Sequence, residues 1–164
     1  VMGSRGSVIP FFIKLKETGE LPITDPKMTR FMISLEDAVE LVWHAFNDMQ
    51  GGEIYVKKIP SMKIPDIASA VDEKAIQKTI GIRPGEKIHE QMIGSEDALH
   101  TYEYNDHYKI LPAIYNWSSD PKRNKNGIKV SENFTYSSDQ NKDWMSVNEL
   151  QKWIEGNKEK IGKI

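Results

Sequence analysis

Between Ser7 and Ile93 the apolar residues recur alternately at helical and at strand spacing, and most changes of period fall at a glycine, a proline or a capping residue. Val8, Phe11, Phe12 and Leu15 fall on one face of a helix over 7–16. Pro10 sits in its first turn, where the missing N–H costs little, and Gly19 stops it. A strand is predicted over 29–33, after the turn Thr24-Asp25-Pro26. Ser34 then caps a helix with Ala38, Val39, Val42, Ala45, Phe46 and Met49 on its apolar face, and Gly51-Gly52 ends it. A strand over 53–57, a helix over 64–71, a strand over 76–82 and a short helix over 87–93 complete the series. Such alternation selects the α/β class.

The pattern changes after Gly94. Stretches 99–104 and 107–111 predict a hairpin across Asn105-Asp106, and 118–127 reads as a polar, mobile loop with Lys122 to Lys125 solvated. A final helix starts at Ser146 with Val147, Leu150, Trp153 and Ile154 as its apolar stripe, and 157–164 is expected to fray. The chain is therefore read as two segments, 1–93 and 94–164.

Composition removes several function classes. Lys and Arg number 22 against 24 Asp and Glu, so the basic excess of a nucleic-acid binder is missing and an anionic ligand must be met by a few local cations. The chain contains no cysteine, which excludes disulfides and thiolate chemistry and fits a reducing, cytoplasmic setting. The longest strictly apolar stretch, Val8 to Ile13, is far short of the ~20 residues a bilayer demands, so no membrane partner is expected. His44, His89, His100 and His107 lack ligand spacing, His44 being read as simply exposed. The predicted hairpin brings His100 and His107 together without a second ligand type, so no metal site is expected. Asn116-Trp117-Ser118 and Asn133-Phe134-Thr135 match the glycosylation sequon as chance matches.

Three segments carry ligand chemistry. Gly3-Ser4-Arg5-Gly6-Ser7 runs into a helix amino terminus, where close-approaching amides and unpaired N–H groups suit an anion. Thr29-Arg30-Phe31 places a cation in an otherwise apolar strand. Gly81-Ile82-Arg83-Pro84-Gly85-Glu86-Lys87-Ile88-His89-Glu90 sets an arginine at a strand end, before a rigid turn and a carboxylate able to accept from ribose hydroxyls. Each also has a bland reading: a flexible Gly/Ser stretch, a solvent-facing edge arginine, and a helix start with Glu86 and Glu90 in its first turn.

Together with Val1-Met2 and Val8-Ile9-Pro10-Phe11, these segments closely resemble the carboxy-terminal half of bacterial polysaccharide-biosynthesis dehydratases, extended short-chain dehydrogenases. The likeness is nearest to the inverting UDP-N-acetylglucosamine 4,6-dehydratases, which begin the route to pseudaminic acid. Tyr136-Ser137-Ser138-Asp139-Gln140-Asn141, then Trp144-Met145-Ser146-Val147 and Glu149-Leu150, resemble that subgroup's ending.

The resemblance implies a Rossmann-type α/β fold in which 1–93 is the nucleotide-sugar-binding segment and 94–164 an extension with a terminal helix. It implies that Ser4, Arg5, Gly6 and Ser7 lie near the cofactor and the sugar diphosphate, and that Val8, Ile9 and Pro10 line the uridine side. Arg30 and Arg83 would clamp the UDP diphosphate, each fork binding bidentately, and Glu86 would face the ribose. The family's Gly-rich NADP loop and Tyr-x-x-x-Lys pair have no match here, so no catalytic residue is assigned. The chain is expected to lack the amino-terminal Rossmann half, to turn over no substrate alone and to bind no NADP tightly. In the whole enzyme the strand over 53–57 would join a large parallel sheet. Without that sheet, the strand's edge and the apolar faces of the first two helices would be exposed and would drive homo-oligomers. Alternatives are a non-catalytic nucleotide-sugar-binding or partner subunit, a related capsule or O-antigen epimerase fragment, and a remnant without ligand.

Overall fold

The computed structural model describes residues 1–113 and 120–163; the first sequon and the start of the expected 118–127 loop lie outside them. In chain order these residues form α1 (Val8–Leu15), a 3-10 turn at Lys16–Thr18, β1 (Glu20–Ile23), β2 (Thr29–Phe31), α2 (Leu35–Asp48), β3 (Ile54–Lys57) and β4 (Ser61–Lys63). Then come α3 (Ile64–Val71), β5 (Ile76–Thr79), β6 (Gln91–Ile93), α4 (Ser95–Ala98), β7 (Thr101–Glu103), β8 (His107–Ile110), β9 (Ile128–Lys129), β10 (Tyr136–Ser137) and α5 (Val147–Gly156). The chain folds as two compact units of interleaved sequence: Val1–Ser34, Pro60–Glu90 and Ser138–Ile164 make the first, Leu35–Ile59 and Gln91–Ser137 the second.

In the first unit Ile9, Phe12, Leu21, Ile23, Met62, Ile67 and Leu150 are almost wholly shielded and form the core. β1 runs parallel to β5, with Leu21 opposite Gln77, and β2 runs antiparallel to β4, with Arg30 opposite Met62. β1 escaped the sequence reading because Pro22 removes a ladder donor from it. It forms because Leu21 and Ile23 alternate into the core. The apolar face of α1, expected to lie open, is buried: Ile9, Pro10 and Phe12 enter the core and Phe11 alone among the helix's large apolar side chains is exposed. α5 starts with a capping box in which Glu149 Oε2 accepts the Ser146 N–H at 2.7 Å and Ser146 Oγ accepts the Glu149 N–H at 3.3 Å. The fraying expected over 157–164 does not occur over 157–163. Gly162 N–H donates to Gly3 O at 2.8 Å and Ile161 packs on the core, so apolar burial and a backbone bond hold the tail.

The second unit is a four-stranded antiparallel sheet, β3-β8-β7-β9, with β6 and β10 paired beside it. The hairpin expected from 99–104 and 107–111 forms as β7 and β8, but His100 lies before β7 with its N–H donating to Asp97 O, and His107 stacks on Tyr104 at 4.7 Å. The two histidines therefore do not meet; the exposed His44 lies against His107 instead, at 4.6 Å between rings. Polar groups fill much of this interior. Arg123, expected in a solvated loop, donates to Glu53 Oε1 at 2.8 Å and to Gly51 O at 3.1 Å, because a buried carboxylate requires a partner. Lys109 is buried between the Tyr55 and Tyr104 rings and bonds to Asp48.

α2 meets β3 through Lys57, held by Glu40 at 3.0 Å and Asp37 at 3.6 Å. None of α2's residues is buried. Leu35, Val39, Val42, Phe46 and Met49 follow a 4-3-4-3 spacing along an open stripe, with Phe46 68% and Trp43 65% exposed. β3 pairs antiparallel with β8 on one edge and has no strand on the other among the described residues.

Candidate functional site

The first unit contains a cavity of about 430 Å³, within the range of small-ligand pockets. The amino terminus of α1 forms one side. Gly3 and Gly6, with φ of 72° and 76°, fold the preceding loop into two turns in which Ser4 N–H bonds to Val1 O at 3.3 Å and Ser7 N–H to Ser4 O at 3.1 Å. The Ser7 hydroxyl donates to Ser4 O at 2.8 Å, so it does not cap α1, and the first-turn amides keep their partial positive charge beside the cavity.

The opposite side is a strap that the sequence reading took for a helix over 87–93. Pro84 and Gly85 (φ 80°) occupy the middle of a tight turn closed by Glu86 N–H to Arg83 O at 3.1 Å. The chain then stays extended because β2 claims its carbonyls. Thr29 N–H donates to Ile88 O at 3.0 Å. The Arg30 guanidinium donates to Thr29 O at 2.8 Å, Ile88 O at 3.1 Å and Lys87 O at 3.1 Å. Carbonyls used in this way cannot serve a helix ladder, and 91–93 pairs with β10 instead.

Of the ten residues singled out in the sequence, Gly6, Ser7, Val8, Ile9, Arg30, Arg83 and Glu86 line the cavity. Ser4, Arg5 and Pro10 do not: Ser4 Oγ turns back to Val1 O at 2.9 Å, Arg5 is exposed, and Pro10 packs inward beside Gly162. All lining residues fall within 1–93. The two cations differ in state. Arg30 is flanked by Glu86 at 3.9 Å and Glu90 at 3.8 Å, spends two hydrogen bonds on the strap carbonyls of Ile88 and Lys87, and a third on Thr29 O of its own strand. The Arg83 guanidinium makes no ion pair or hydrogen bond among the described residues. Glu90, which sequence reasoning placed only in a helix start, lines the cavity and accepts the Phe31 N–H at 2.8 Å through Oε2. Met28 and Phe11 add apolar wall; nothing in their local sequence distinguished them from core residues.

A cavity with glycine turns at a helix start, an unpaired guanidinium and a carboxylate can hold a phosphorylated, hydroxyl-bearing ligand. A family profile described as "polysaccharide biosynthesis protein" matches residues 1–112. The chain belongs to this polysaccharide biosynthesis family. Among curated proteins it is 52% identical over 157 residues to a UDP-N-acetylglucosamine 4,6-dehydratase (inverting) of Campylobacter jejuni, covering 92% of this chain and 47% of the relative. It is 44% identical over 115 residues to UDP-glucose 4-epimerases of Rickettsia, for example that of Rickettsia canadensis, covering 67% of this chain and 34% of the relative. The fold also matches the X-ray structure of Pen from Bacillus thuringiensis, with TM-score 0.80 and 31% identity over 96% of this chain and 48% of that one. The chain thus spans about half the length of the dehydratase and of the solved structure it matches, and about a third of the epimerase.

Proposed function

We propose that this chain is the UDP-sugar-binding portion of a UDP-N-acetylglucosamine 4,6-dehydratase, acting in bacterial surface-glycan biosynthesis of the pseudaminic acid type. The observation that carries the reading is the convergence of Arg83, Glu86, Arg30 and the amino terminus of α1 on one cavity. Arg83 offers its free fork to the diphosphate. Arg30 adds charge from the wall it braces, Glu86 accepts from the ribose hydroxyls, and Val8 and Ile9 give the uracil an apolar side. Gly6 and Ser7 present backbone amides to the anion.

Oxidation and elimination at the sugar belong to residues beyond this chain. NADP would supply the hydride acceptor in the whole enzyme. The turns at Gly3 and Gly6 do not form the G-x-G-x-x-G loop of a dinucleotide fold, so no cofactor contact is assigned here and the isolated chain is proposed to be inactive. The open stripe of α2 and the free edge of β3 suit a Rossmann half or a second copy of the chain, which favours association over a lone monomer. That same stripe supports the second reading, a binding subunit completed by a partner chain.

Calorimetric titration with UDP tests the proposal. The unmodified chain is expected to bind UDP, and Arg83→Ala to weaken it by about 10- to 100-fold, the loss of one charge-assisted hydrogen-bonding group. UDP binding that is absent, or unaltered by Arg83→Ala, sinks the site assignment. Dehydratase turnover by this chain alone sinks the claim of inactivity.

A further inference from the structure

The tail motif Tyr136-Ser137-Ser138 contributes no residue to the cavity lining, yet Ser138 is fully buried behind it. Its hydroxyl oxygen accepts the Glu90 N–H at 2.9 Å, and its own N–H donates to Glu90 O at 2.8 Å. The same hydroxyl lies 2.6 Å from Thr29 Oγ1 on β2, which in turn lies 2.8 Å from His89 Nδ1. One arrangement of protons gives each buried hydroxyl hydrogen an acceptor: Ser138 donates to Thr29, Thr29 donates to His89 Nδ1, and the imidazole proton sits on Nε2. The reverse direction strands the Ser138 hydrogen in a site closed to water. A residue 48 positions away from Glu90 and 109 from Thr29 therefore closes a three-way lock at the end of the strap.

We propose that Ser138 is a positioning residue of the nucleotide-sugar site. It acts through Glu90 and Thr29 to hold the 83–90 strap against β2, and so fixes where Arg83 and Glu86 stand. Glu90 is well placed to pass the constraint on, because its side chain accepts the Phe31 N–H while its backbone is clasped by Ser138. The inference rests on the reading of the cavity as a UDP-sugar site.

The test combines UDP titration with amide hydrogen exchange on the 164-residue chain. Ser138→Ala is expected to weaken UDP about tenfold and to speed exchange across 83–90. Thr29→Val, nearly isosteric, cuts the lock from the strand side and is expected to do the same if Ser138→Ala fails to fold. A general loss of structure would add to the effect of Arg83→Ala. Positioning through the strap would not, so in an Arg83→Ala background Ser138→Ala is expected to change affinity by less than about twofold. Unchanged affinity in both variants, unchanged exchange across 83–90, or full additivity with Arg83→Ala overturns the assignment. No UDP binding by the unmodified chain overturns the reading of the cavity and this assignment with it. Normal binding by a chain whose variants are unaffected overturns this assignment alone.

Discussion

Gly3→Ala and Gly6→Ala form a matched pair that isolates the packing of the tail on the ligand loop. The two glycines have nearly the same backbone, φ 72° and 76°, so alanine meets the same left-handed penalty at each, about 1–2 kcal/mol. The gain from restricting the unfolded chain is also shared. Their surroundings differ. A Cβ on Gly3 would lie 2.9 Å from Trp153 Cη2 and 3.3 Å from Ile161 Cγ1, whereas one on Gly6 meets nothing within 4 Å. The indole is rigid and Gly162 N–H pins the tail to Gly3 O, so the clash cannot be relieved by one side chain swinging away. Overpacking of this kind costs about 1–3 kcal/mol. Gly3→Ala is therefore expected to cost about 2–5 kcal/mol and Gly6→Ala only about 1–2. In thermal melts followed by far-ultraviolet circular dichroism, each kcal/mol corresponds to about 2–4 °C for a chain of this length. Equal melting temperatures for the two variants would refute the argument, since only Trp153 and Ile161 separate them.

Three further outcomes are expected. Tyr136→Phe removes a hydroxyl that donates to Ile59 O at 3.0 Å and accepts the Ile59 N–H at 2.9 Å; it should cost about 1–3 kcal/mol in urea denaturation, and a smaller loss would mean that water reaches the freed groups. Burial pushes the Asp48 carboxyl up, but hydrogen bonds from Lys109 and Tyr55 outweigh it and hold the group below the usual carboxylate range. A depressed folded value gives stability that is complete above about pH 4 and is lost as pH falls further, so the melting-temperature gap between the unmodified chain and Asp48→Asn should be widest near neutrality and close in acid. A constant gap from pH 7 to pH 2 contradicts it. Val42→Glu with Phe46→Glu puts charge on the open stripe of α2 and should shift the chain from oligomer toward monomer in light scattering; an unmodified chain that is strictly monomeric at high concentration removes the basis for association.

Much of the site was legible because its signals are local. A left-handed turn before a helix demands glycine, so Gly3, Gly6 and the start of α1 can be read from a few adjacent residues, as can the Pro84-Gly85 turn that follows Arg83; the strand expected to run up to Arg83 ends already at Thr79. Apolar period likewise marked α1, α2, α3 and α5, each stabilised by a face whose spacing is written in its own residues. The 87–93 stretch was misread because its helix-like opening, with Glu86 and Glu90 near the start, is overruled by partners far away: Arg30 and Thr29 take its carbonyls, and β10 pairs with its end.

By itself the sequence determined the α/β class, the main helices and, in the cavity, Gly6, Arg30, Arg83 and Glu86 but not Glu90, since these depend on periodicity, backbone freedom and charge within short windows. Only the tertiary structure decided that Arg30 braces the strap while Arg83 has no partner among the described residues, that Arg123 answers Glu53, and that Ser138 closes on Thr29 and Glu90. Each of those depends on which buried polar group finds its partner across scores of intervening residues, and hydrogen-bond satisfaction at that range leaves no periodic trace in the chain.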